Sequence, residues 1–142
     1  MLRTLLAFGL AALACTPLAA GEEGRAALRG TQGLAAVPFA ARNDAAEPID
    51  CVAALAHWYS LDLGRADPGH TLEGMLWFDA SNGELLALNR EQDRMPVQAL
   101  TCGLVGAAWT TGTPIGFERR VGSVPEPVSL VCRLRGGTLT CS

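Results

Sequence analysis

Apolar and polar positions alternate from Thr71 to Asp79. Leu72, Gly74, Leu76 and Phe78 fall on one side, and Glu73, Met75, Trp77 and Asp79 on the other. That period of two predicts a half-buried strand. Ala80-Ser81-Asn82-Gly83 supplies turn chemistry, and Glu84 to Asn89 returns as a second strand, the clearest hairpin in the chain. Asp67-Pro68-Gly69 marks a turn just ahead of it. Shorter strands are predicted at Val97 to Leu104, Ala107 to Thr110 and Ile115 to Val121, separated by Gly-rich or Thr-Gly-Thr-Pro breaks. Pro125-Glu126-Pro127 interrupts the chain again before Val128.

Residues 50–63 carry two periods at once. Asp50 could cap a helix through Cys51, Val52, Leu55, Trp58 and Tyr59 that ends at Gly64. The same stretch alternates, with Leu55, His57, Tyr59, Leu61 and Leu63 on one face, and its aromatic, Leu-rich second half favours a strand from about Ala56 to Leu63.

The last hairpin fixes a register. With Gly136 and Gly137 as the two turn residues, Arg135 faces Thr138, Leu134 faces Leu139, Arg133 faces Thr140 and Cys132 faces Cys141. That last pair is non-hydrogen-bonded, with Cα atoms about 4.5 Å apart, within reach of a disulfide. Cys51 and Cys102 are then left to bridge each other. No Cys-x-x-Cys spacing is present, so two disulfides are expected in place of a metal site or a redox dithiol.

The first twenty residues, MLRTLLAFGLAALACTPLAA, read as an export signal: Arg3 is the positive n-region, Leu5 to Ala14 the apolar segment, and small residues follow. Ala12-Leu13-Ala14-Cys15 resembles the lipobox of bacterial lipoproteins, which implies lipidation of Cys15; the competing cut falls after Ala20. Residues 21–48 are rich in Ala, Gly, Arg and Glu with no steady period, and are expected to form a flexible leader or tether. The folded domain is therefore expected over 49–142. Its fold class is mainly β: a small antiparallel β sandwich or barrel of about seven short strands, stabilised by Cys132–Cys141 and Cys51–Cys102.

Composition narrows function mostly by exclusion. The 142 residues are 49% hydrophobic and 18% charged, which is unlike a disordered chain. A net charge of −3 argues against nucleic-acid binding. No Gly-x-Ser-x-Gly, His-Glu-x-x-His, phosphate loop or dinucleotide fingerprint occurs, so neither a catalytic constellation nor a cofactor is expected. A small hydrolase could only draw on His57 or His70 as base, beside Asp62 or Asp67.

The binding candidates are Trp77, beside Met75 on the outer side of its strand, and four arginines. Arg119 and Arg120 sit on one predicted strand and Arg133 and Arg135 on the last hairpin; if those strands are neighbours they form a cationic patch suited to a carboxylate or phosphate. Small envelope inhibitors of proteases or lysozymes are similar in size, export and disulfide-stitched β architecture, though no motif of theirs is present. The leading expectation is an exported, non-catalytic binding or accessory module whose partner is another envelope or extracellular protein. A structural or assembly lipoprotein, reaching the membrane only through its lipid anchor, is the alternative.

Overall fold

A computed structural model describes residues 28–142. The expected export signal with Cys15, and residues 21–27, lie outside the described residues. Among the described residues the fold is mainly β, with nine strands where about seven were expected. They are β1 (Ala35–Asn43), β2 (Ile49–Leu55), β3 (Ser60–Ala66), β4 (Thr71–Asp79), β5 (Glu84–Leu88), β6 (Arg94–Leu104), β7 (Thr113–Pro114), β8 (Val128–Arg135) and β9 (Thr138–Cys141). The one α-helical turn among the described residues, α1, is Ala108–Thr111.

The strands form one continuous sheet in the order β3-β2-β6-β5-β4-β1-β8-β9, with β7 on β6; it is not closed. All pairings are antiparallel except β1 with β8. β6 turns the corner. Its Arg94–Pro96 stretch pairs with β5, while Val97–Leu104 pairs with β2, so the sheet rolls over on itself around one core. The inward side of β4 supplies Leu72, Leu76 and Phe78 to that core, as its alternation predicts; β2 supplies Ile49, Cys51, Ala53 and Leu55.

Four sequence readings need correction. The leader does not extend to residue 48: Ala35–Asn43 is a central strand, held by β4 on one side and β8 on the other, and buries Val37, Phe39 and Ala41. Backbone pairing on both sides and burial of these side chains in the core offset the ordering entropy that the segment alone could not meet. The ambiguous segment is neither a helix from Asp50 nor a strand over 56–63. Its Ala-rich half is β2, a single 3-10 turn occupies Ala56–Trp58, and β3 begins at Ser60. Ala107 to Thr110 is not a strand, because Ala107 to Gly112 folds into the turn of α1, with Thr111 Oγ1 accepting from Leu104 N and donating to Ala107 O. Residues 115–121 are also not a strand; this stretch is irregular and hangs on the β4–β5 turn through Gly122 N to Ala80 O.

The last hairpin matches its predicted register pair for pair, and the Cys132 and Cys141 Cα atoms are 4.0 Å apart across it. Cys51 and Cys102 are likewise directly opposed on β2 and β6 and joined as expected. The two bridges meet in the core: the sulfurs of Cys102, Cys132 and Cys141 all lie within 4.8 Å of one another. One buried polar side chain completes the frame. Asn43, wholly buried, donates to Glu47 O and Ala66 O and accepts from Ala45 N, which fixes the β1–β2 connection against the end of β3.

Candidate functional site

The β2–β3 hairpin turns without a glycine, an asparagine or a proline. Leu55 N donates to Tyr59 O at 2.8 Å, and between them His57 (φ 61°, ψ 33°) and Trp58 (φ 67°) both adopt left-handed backbone. Asn-Gly fills such a pair of positions with little strain; for residues with a full side chain it costs roughly 1–2 kcal/mol each. Packing does not repay that cost. Trp58 is fully exposed, at 103% of its reference area, and Tyr59 is 64% exposed. The tip thus combines left-handed backbone with aromatic side chains that touch little of their own fold.

Below the tip, Leu55, Tyr59, Ser60, Leu61, Asn89 and Met95 line an open, mostly apolar cavity of about 390 Å³. Asn89 and Met95 come from either side of the β5–β6 turn. That turn also receives the incoming chain: Gly30 N donates to Gln92 O, Arg94 N to Leu28 O, and Arg29 Nε meets Asp93 Oδ1 at 2.6 Å. Asp93 is further held by the Asn89 amide, and these contacts, Asn89 first and then Arg29, lower its pKa below the ordinary 3.8. At the β4–β5 turn the Ser81 hydroxyl and then the Ser81 N–H do the same for Asp79.

The sequence-predicted binding residues are dispersed. Trp77 lies half-buried on β4, between Ala36 of β1 and Leu86 of β5, with Met75 exposed two residues before it. Arg119 reaches Gln98 O, and Arg120 pairs with Glu118. Arg133 pairs with Asp44, which Arg42 also holds; Arg135 stands exposed at the end of β8. The strand that was to carry Arg119 and Arg120 is not formed and the neighbours of β8 are β1 and β9, so the cationic patch is not assembled from adjacent strands.

His57 is exposed at the tip, and the His70 ring contacts Pro68 O. Asp62 accepts from Gly64 N and Asp67 pairs with Arg65, so among the described residues neither histidine is hydrogen-bonded to a carboxylate. Among the described residues, the His, Cys, Asp and Glu group compact enough for a metal is the trio Cys102, Cys132 and Cys141, and disulfides occupy all three.

Comparison with protein-family models, with curated proteins and with solved structures finds no match.

Proposed function

We propose that this is an exported, non-catalytic binding or accessory module of the envelope, whose recognition element is the aromatic tip of the β2–β3 hairpin. The observation that carries the reading is Trp58: wholly exposed, on backbone that a glycine would occupy more cheaply. Tyr59 and the apolar cavity beside it extend the contact surface, and large aromatics are the side chains that most often anchor an interface. Two disulfides hold the hairpin on a stiff frame and are compatible with an oxidising, exported location.

The test is capture from detergent-solubilised envelope extract on the immobilised chain, with Trp58→Ala alongside. The native chain should retain a defined component that Trp58→Ala loses at an unchanged Tm. Equal retention by both rejects the tip as the recognition element, and retention of nothing rejects a protein as its target.

A further inference from the structure

We infer that the surface the aromatic tip meets is that of a lipid bilayer, with Trp58 and Tyr59 seated at headgroup depth. The inference rests on the tip being the recognition element and names what it recognises.

Chain entry is the first support. Residues 1–27 join the fold at Leu28–Gly30, on the β5–β6 turn that also supplies Asn89 and Met95 to the cavity under Tyr59. The tip and the point of entry therefore share one end of the molecule. Cys15, the expected lipidation position, stands thirteen residues before Leu28. Even a fully extended connection of that length holds this end within roughly 45 Å of an anchored Cys15.

The chemistry of the tip is the second support. His57-Trp58-Tyr59-Ser60 contains no carboxylate, ammonium or guanidinium. Trp and Tyr combine an apolar ring with one polar atom, which is why they collect where hydrocarbon meets headgroups. A protruding hairpin can bring both rings to a flat surface without opening the core.

The experiment uses the full chain with Trp77→Phe and Trp109→Phe, which leaves Trp58 as the sole indole, and vesicles of phosphatidylcholine with or without phosphatidylglycerol. Trp58 emission should shift to the blue on the vesicles and be quenched by lipids brominated near the headgroup end of the acyl chain. The shift should appear with and without phosphatidylglycerol and persist in salt, because the tip carries no carboxylate, ammonium or guanidinium. In the otherwise unaltered chain, Trp58→Ala should abolish the vesicle-dependent part of the emission change, which keeps the test valid if the double Phe variant folds poorly. Unshifted Trp58 emission on vesicles that bind the chain overturns the inference. If emission is unshifted while Trp58 is still required for capture from solubilised extract, the tip remains a recognition element and its target is a protein. If Trp58 matters in neither assay, both readings fall.

Discussion

His57 and Trp58 hold a left-handed conformation that nothing in their own surroundings rewards, so stability and recognition should separate at these two residues. Replacing His57 by Asn and Trp58 by Gly relieves part of the strain, the rest being offset by the unfolded-chain entropy that glycine adds, and leaves the hairpin bond from Leu55 to Tyr59 in place. The double variant is expected to gain roughly 1–2 kcal/mol, read as a Tm several degrees higher, while losing target binding. A lower Tm would mean that the rings are held by contacts within the fold. Acid response is also set residue by residue. Asp79 and Asp93 both have folded-state pKa values below the ordinary 3.8, so the unfolded chain binds protons first as the pH falls. Their contribution is fully present above that ordinary value and disappears as the pH drops through the folded-state values. Thermal scans should therefore show a level Tm above about pH 5 and a decline below it. Asp93→Asn should make that decline shallower.

Among the elements, α1 packs on β6 with Gly112 at the end of its turn against Cys102. A Cβ on Gly112 would lie 2.1 Å from Cys102 O and 2.7 Å from Ala108 O, both backbone atoms that cannot step aside. Gly112→Ala is expected to cost about 3 kcal/mol in denaturant unfolding. Gly116→Ala, with nothing within 4 Å of its added methyl, should stay within about 0.5 kcal/mol of the native chain. The elements legible in the sequence are those with local punctuation. The hairpin of β4 and β5 is announced by Ser81-Asn82-Gly83, and that of β8 and β9 by Gly136-Gly137, which also yields the Cys132–Cys141 pairing by counting. β1 is illegible for the opposite reason. AAVPFAARN offers small side chains and an internal Pro38, and its place in the sheet is fixed by partners far along the chain. Pro38 is tolerated because β8 pairs only from Phe39 onward, beyond the proline. The aromatic tip left no trace either: a turn built from His57 and Trp58 looks like uninterrupted strand, and only the backbone angles expose it. The argument for an arginine patch ran through a strand over 115–121, and that strand is not formed.

At the scale of the molecule, two covalent bridges stitch the two halves of the rolled sheet unequally. Cys51–Cys102 has a sequence separation of 51 and Cys132–Cys141 one of 9. In the chain-entropy account these closures are worth about 4 and about 2.5 kcal/mol. Replacing the first pair by Ala should therefore lower unfolding stability more than replacing the second, as measured in urea with matched m-values; the reverse order would show that native-state contacts around Cys132 outweigh loop closure.

The crowding of sulfur at the centre bears on how the chain matures. With Cys102 Sγ within 4.8 Å of both Cys132 and Cys141, a Cys102 thiolate left without Cys51 has a ready-made disulfide to attack. Each attack would release one of the two terminal cysteines and tie the opposed halves together wrongly. The short hairpin closes more easily than the long loop, so it is the natural first crosslink, and it stays vulnerable until Cys51 is sealed. An oxidant that delivers both bonds in quick succession, or an isomerase that returns to correct the swap, is thus written into the needs of this core.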